Sequence, residues 1–245
     1  MATRADFRWL GEWRYAHRGL HGDGCPENSR AAIEAAVARG YGIECDVQAS
    51  RDGHAMVFHD WTLERLTESV GALRDFDAAG LEPIGLRGGG TLWRLETLLR
   101  RVAGRVPVLI EIKSHRTMPS QGLCRSVAKA LRHYRGKAAI MSFDRDIVRW
   151  FADVVPNRPR GLVTGRREYR ESGGVFAFRT ARSLAITRSR PDFLACDIRD
   201  LPDPFIARQR ARGMIALTWT VRTKKQRKLA KRSCDAPIAE GKGIA

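Results

Sequence analysis

The 245-residue chain is 43% hydrophobic and 29% charged, which supports a substantial folded core and excludes a wholly disordered polymer. Its net charge is +17, yet residues 1–120 carry 16 basic and 16 acidic side chains while residues 121–245 carry 28 and 11. That asymmetry excludes a uniformly basic, histone-like protein, and no apolar run approaches the roughly 18 residues of a membrane-spanning helix.

Short runs rich in Val, Ile, Leu and Phe predict strands at Tyr15–Gly19, Gly42–Gln48, Ala55–His59, Val106–Lys113, Ala138–Phe143, Arg160–Thr164, Phe193–Ile198, Ile215–Val221 and Ala236–Ala239. Helical spacing falls between them, at Asn28–Arg39, Thr91–Val102, Leu123–Tyr134, Asp146–Val155, Phe205–Arg212 and Lys224–Arg232. Thr91 is a candidate cap, Gly40 and Gly213 are candidate stops, and Gly173–Gly174 breaks the helical pattern of Arg167–Leu184. Apolar runs this continuous suit a parallel sheet covered by helices. With Ala55–His59 set aside as an extra strand or excursion, eight strand–helix units remain, which points to an α/β fold of the TIM-like (β/α)8 barrel type, typically about 250 residues long. An open doubly wound sheet competes, but no Gly-x-Gly-x-x-Gly turn follows the first strand. The expectation is a single domain over residues 1–245, with residues 61–90 as a short Gly-rich insertion or loop.

The five cysteines form no Cys-x-x-Cys pair, which argues against a disulfide framework or a thiolate zinc site; Cys45 and Cys196 lie in apolar runs and read as core. The N-terminus carries no apolar leader segment, so the expected location is cytoplasmic.

Three polar clusters sit at predicted strand ends: His17–Arg18–Gly19 with Pro26–Glu27–Asn28, then Glu44-x-Asp46 with Asp52–Gly53 and His59–Asp60, then Glu111-x-Lys113. Residues two apart in a strand face the same way, so Glu44 and Asp46 share a face, and Glu111 can supply a third oxygen from a neighbouring strand. Such carboxylates need a neutralising partner when buried. Either a hard cation, Mg2+ or Ca2+, or an ion-pair network with Arg18 and Lys113 meets that need. His17 and His59 can act as an acid–base pair or as structural imidazoles. Arg18 and Lys113 offer charge to a phosphoryl group or to a salt bridge. Trp219 ends an apolar strand and either walls a pocket or fills the core. His21, His54, His115 and His133 read as structural or solvent-exposed.

In this order the motifs resemble the glycerophosphodiester phosphodiesterase family: His17–Arg18–Gly19, Pro26–Glu27–Asn28–Ser29, Glu44-x-Asp46, Asp52–Gly53, His59–Asp60-x-x-Leu63-x-Arg65-x-Thr67, Glu111–Ile112–Lys113, Ser142–Phe143 and Thr218–Trp219–Thr220–Val221. The resemblance spans Tyr15 to about Gly241. It implies a TIM-like barrel that hydrolyses glycerophosphodiesters to glycerol 3-phosphate and an alcohol. By the same resemblance Glu44, Asp46 and Glu111 hold one divalent cation, His17 and His59 are catalytic, and Arg18 and Lys113 contact phosphate. Glu27 supports the site, Phe143 and Trp219 shape the pocket, and Asn28 caps the following helix.

Two departures stand out. Gly89–Gly90–Thr91–Leu92 replaces the family's Ile-Pro-Thr-Leu type of helix entry, and Asp60–Gly90 is too short for the inserted cap of some members, which suggests an open mouth. The expected partner is a small anionic glycerophosphodiester, with peripheral contact to anionic membrane suggested by the charge. The competing functions are a lysophospholipase D-like or cyclising phospholipase activity, and an inactive basic barrel binding nucleic acid or membrane. The cations of Lys224–Arg232 go around a helix rather than along one stripe, so a solvated face fits them better than nucleic acid. Oligomeric state is not encoded in any of these features.

Overall fold

A computed structural model describes residues 4–114, 120–166 and 174–245. The strands are β1 (Tyr15–Ala16), β2 (Gly42–Ala49), β3 (Ala55–Val57), β4 (Val108–Ile112), β5 (Ala138–Ser142), β6 (Arg160–Thr164), β7 (Phe193–Asp197), β8 (Ile215–Val221) and β9 (Ala236–Ala239). The helices are α1 (Arg30–Ala38), α2 (Ala78–Leu81), α3 (Leu95–Val102), α4 (Gln121–Leu131), α5 (Arg145–Val154), α6 (Gly174–Ser189), α7 (Pro204–Ala211) and α8 (Lys224–Ser233). The strand order is β1-β9-β8-β7-β6-β5-β4-β2-β3, and β1 also pairs with β2. The fold is α/β with the strand order of a (β/α)8 barrel. The antiparallel strand β3 is appended to β2 through Val47 opposite Val57. No described helix is long and apolar enough to cross a membrane.

Two compact units are distinguished, residues 16–138 and residues 1–15 with 139–245. In the first, β2 and β4 run parallel with Asp46 beside Glu111. Helix α1 starts at Ser29, whose Oγ accepts from the Ala32 N–H at 3.2 Å, and stops at Gly40, which takes the left-handed φ of +68° that a side chain disfavours. Helix α3 buries Leu95, Leu98, Leu99 and Val102 on one stripe. Its first turn begins four residues later than the sequence predicts. Thr91 forms a bridge with Gly85, and Leu92 joins a small apolar cluster instead of the helix face.

That cluster gathers Met56 of β3, Phe58 just after it, and Leu63, Leu73, Ala78, Leu81 and Leu86 of residues 61–90. The glycine-rich connection therefore carries its own buried core, a short 3-10 turn at Leu73–Asp75 and helix α2. Strand β1 is shorter than predicted because Arg18 and Gly19 adopt φ of +56° and +79° and turn the chain away from the sheet.

In the second unit, β6, β7, β8 and β9 pair in parallel, with Cys196 beside Thr218 and Asp197 beside Trp219. Cys196 is buried as its apolar context predicts. Asp144 caps α5 and Asp203 caps α7 through side-chain oxygens. Arg182 of α6 forms a buried ion pair with Asp203 at 2.6 Å. His115 and residues 167–173 of the predicted broken helix lie outside the described residues.

Candidate active site

The charged site residues all belong to the 16–138 unit. Glu44 and Asp46 point from β2 and are each about 1% exposed, and Glu111 on β4 is nearly as buried. One oxygen of each carboxylate lies within 4.8 Å of the other two. Cations interleave with them. Lys113 Nζ reaches Asp46 Oδ1 at 2.9 Å and Glu111 Oε1 at 2.5 Å. Arg18 Nε lies 3.2 Å from Asp46 Oδ2, without hydrogen-bond geometry, and the Arg18 backbone N–H donates to Glu44 Oε2 at 3.0 Å.

This electrostatic arrangement sorts the carboxylates. Burial, then the charges of Asp46 and Glu111, push the Glu44 carboxyl well above the ordinary carboxylate range, against the pull of Arg18. Burial also opposes ionisation of Asp46, but Lys113, Arg18 and His59 outweigh it and hold that carboxyl far below the usual value. Lys113 is disfavoured as a cation by burial, yet Asp46 and Glu111 keep its pKa raised. The cluster is thus under-neutralised at Glu44. A buried all-oxygen donor set of this kind, with one oxygen of each carboxylate within 4.8 Å of the other two, fits a hard divalent cation.

Glu27 precedes α1 and accepts from Arg18 Nη1 at 2.7 Å and from Arg65 Nη2 at 2.7 Å. Burial disfavours its charge, but the Arg65 and Arg18 bonds keep its carboxyl below the usual range. His59 follows β3 with its ring about 30% exposed, and its Nδ1 lies 2.7 Å from Asp60 Oδ1. Asp60 is partly buried, which raises its pKa, but bonds from Arg65 and His59 hold it low. A carboxylate is acceptor-only, so Nδ1 of His59 is the donor in this contact. His17 follows β1, half-buried, with its ring centroid 6.4 Å from that of His21.

Phe143 and Trp219 belong to the other unit. They form a T-shaped pair with centroids 5.5 Å apart, Phe143 is 38% exposed, and the Trp219 indole donates to the Ala195 carbonyl at 3.0 Å.

Asn28 differs from its expectation. The cap of α1 is Ser29, while Asn28 is buried at φ +57°, and its amide donates to Asp46 Oδ2 at 3.0 Å. Its backbone carbonyl accepts from the Trp93 indole at 2.8 Å, which locks the position. A polar residue that tolerates a left-handed φ just before a serine cap is the available sequence signal. Asp60 and Arg65 stand in the quoted motif, but only the folded loop shows what they touch.

The family model described as the glycerophosphoryl diester phosphodiesterase family matches residues 17–239. The chain belongs to this family. The Bacillus subtilis protein YhdW, which bears a glycerophosphodiester phosphodiesterase name, is 27% identical over 86% of both chains. The glycerophosphodiester phosphodiesterase of Caldanaerobacter subterraneus subsp. tengcongensis is 33% identical over 60% of this chain and 65% of its own length. Among solved structures, an Oleispira antarctica phosphodiesterase in complex with the product sn-glycerol-3-phosphate superposes with a TM-score of 0.80. It covers 93% of this chain and 92% of its own, at 19% identity. Phosphodiesterase membership agrees with the motif order read from the sequence.

Proposed function

We propose that this phosphodiesterase hydrolyses small glycerophosphodiesters to glycerol 3-phosphate and an alcohol, with His17 and His59 as the proton-transfer pair. The observation that carries this reading is the three-carboxylate cluster, threaded by Arg18 and Lys113, on the unit that also presents His59 with its Nδ1 held by Asp60. Glu44, Asp46 and Glu111 would hold the cation, with Mg2+ and Ca2+ both suited to oxygen donors. When bound, that ion supplies Lewis-acid polarisation of a phosphoryl oxygen.

The chain's own residues account for the rest. Arg18 and Lys113 offset phosphoryl charge, and the Arg18 fork is held by Glu27 so that its direction is fixed before substrate arrives. His59 takes or gives a proton at Nε2 while Asp60 holds its Nδ1, and His17 performs the complementary transfer. Attack by the substrate's glycerol hydroxyl yields a cyclic phosphate first, whereas attack by water yields glycerol 3-phosphate directly. Phe143 and Trp219 pair edge to face within their own unit, an aromatic surface of the kind that packs against an organic group. Five free cysteines support a reducing, cytoplasmic setting, and the net charge of +17 supports peripheral contact with anionic membrane.

The test is hydrolysis of glycerophosphocholine, glycerophosphoglycerol and a lysophospholipid with Mg2+, Ca2+ or a chelator, with products followed by 31P NMR. Glycerophosphodiester turnover that requires a divalent ion and disappears in Asp46→Asn is expected. His17→Ala and His59→Ala should each lower kcat by about 100- to 10,000-fold. Near-normal kcat in both histidine variants would overturn the assignment, and turnover confined to the lysophospholipid would move the substrate class to lipids.

A further inference from the structure

Arg65 lies six residues past His59, in the connection that follows β3, and its guanidinium holds two acidic side chains at once. Nη2 and Nη1 donate to the two oxygens of Glu27 at 2.7 and 3.2 Å. Nη2 also donates to Asp60 Oδ1 at 2.9 Å, while Nε donates to Asp60 Oδ2. Each carboxylate then passes the contact on. Glu27 accepts from Arg18, and Asp60 accepts from His59. Five side chains form one line, Arg18, Glu27, Arg65, Asp60 and His59, with the two groups assigned to phosphate and proton transfer at its ends.

A rigid planar fork fixes the plane of a carboxylate, which a flexible ammonium does not. With both Asp60 oxygens held, Oδ1 stays aimed at Nδ1 of His59. The loop does not need Arg65 merely to stay in place. It packs its own apolar cluster, and Arg51–Asp77 and Arg94–Glu82 also tie it down.

We propose that Arg65 is a positioning residue that fixes Glu27 and Asp60, and through them sets the direction of Arg18 and the tautomer and ring plane of His59. This rests on the reading of His59 as a proton-transfer group and of Arg18 as a phosphate ligand. Arg65 itself touches neither group.

The deciding measurement is 15N NMR of the full chain labelled at histidine, with the His59 signals identified by their loss in His59→Gln. The native protein should show His59 protonated at Nδ1, with that proton protected from exchange. Arg65→Gln should give a mixed tautomer and a fast-exchanging proton, and Arg65→Lys should not restore the native pattern. In glycerophosphodiester turnover, Arg65→Gln should lower kcat by about 10- to 100-fold, as expected when a reacting group is misplaced by a fraction of an ångström to one ångström. The double variant with Asp60→Asn should be no worse than the more impaired single one, because both break the same line. Arg51→Gln, which loosens the same loop elsewhere, should keep kcat within about twofold. A native His59 tautomer in Arg65→Gln would overturn the inference, as would fully additive losses in the double variant. An equal loss in Arg51→Gln would also overturn it, because loop anchoring would then explain the effect. Should the native chain hydrolyse none of the diesters, the activity reading fails alone, and the NMR comparison still decides what Arg65 does.

Discussion

Glu44 shows how a site residue can work against the stability of its own fold. Its carboxyl is buried beside Asp46 and Glu111, so its folded-state pKa lies above the unfolded value of about 4.3. The sign follows from that direction. The proton binds the folded state more tightly, so ionised Glu44 destabilises the metal-free protein above its folded pKa, and the penalty fades as pH falls toward the unfolded value. Asp46 runs the other way: its stabilisation is present above its unfolded pKa and is lost as pH falls through its depressed folded value. Glu44→Gln keeps an oxygen for the Arg18 N–H and removes the charge. It should raise the melting temperature of the metal-free protein at neutral pH by about 2–4 °C, corresponding to about 1 kcal/mol. Mg2+ or Ca2+ should raise the melting temperature of the native protein, and the same variant should lack that rise. Calorimetry with and without chelator checks both, and a lower melting temperature for the metal-free variant would show that the carboxylate is stabilising after all. The shared face of Glu44 and Asp46 was legible in the sequence because a two-residue spacing in a strand leaves no choice of face. The Asn28 bond to Asp46 was not, since it depends on a left-handed backbone that no periodicity announces.

Elements repeat that contrast. The regular strands are readable because short continuous apolar runs bounded by turn residues have few alternatives. The first strand ends three residues before the predicted Gly19, because the apolar run Tyr15–Ala16 gives way to a turn at Arg18 and Gly19. Helix α3 starts later than its periodicity predicts because Leu92 keeps helical spacing with Leu95 while belonging to the cluster under the 61–90 loop. Glycine marks both sites: Gly88, Gly89 and Gly90 all take positive φ, and Gly19 adds a close approach. A Cβ there would lie 2.8 Å from the Ala32 backbone carbon and 2.9 Å from its side chain, and the residue sits at φ +79°. The turn is therefore pressed onto α1, directly after Arg18, whose backbone N–H donates to Glu44. Gly19→Ala must either open this contact or strain the turn, with an expected loss of about 2 kcal/mol or more in urea unfolding. Because the displaced segment carries Arg18, KM should rise along with the stability loss. An unfolding midpoint and KM both equal to those of the native protein would mean that the turn is slack rather than packed.

At the scale of the whole molecule the charge is uneven: residues 16–138 carry 18 basic and 14 acidic side chains, and the remaining residues 26 and 13. Helix α8 concentrates the excess. Its N-terminus is secured by a reciprocal Thr223–Gln226 capping box, which offsets the unfavourable placement of Lys224 and Lys225 at the positive end of the helix dipole. None of Lys224, Lys225, Arg227, Lys228, Lys231 and Arg232 is paired with a carboxylate among the described residues, so their field reaches the solvent. The screening length is about 30 Å at 10 mM salt and about 8 Å at 150 mM, so any electrostatic delivery of substrate must weaken over that range. Glycerophosphoglycerol carries a net negative charge, whereas glycerophosphocholine is neutral overall through its quaternary ammonium. For the anionic substrate, kcat/KM should fall about threefold or more between 10 and 150 mM NaCl, with a much smaller fall for the zwitterion and little change in kcat for either. The Lys224→Gln, Lys225→Gln, Lys228→Gln triple variant should flatten the slope for the anionic substrate without altering kcat. Parallel salt curves for the two substrates would instead trace the effect to the phosphodiester charge that both share.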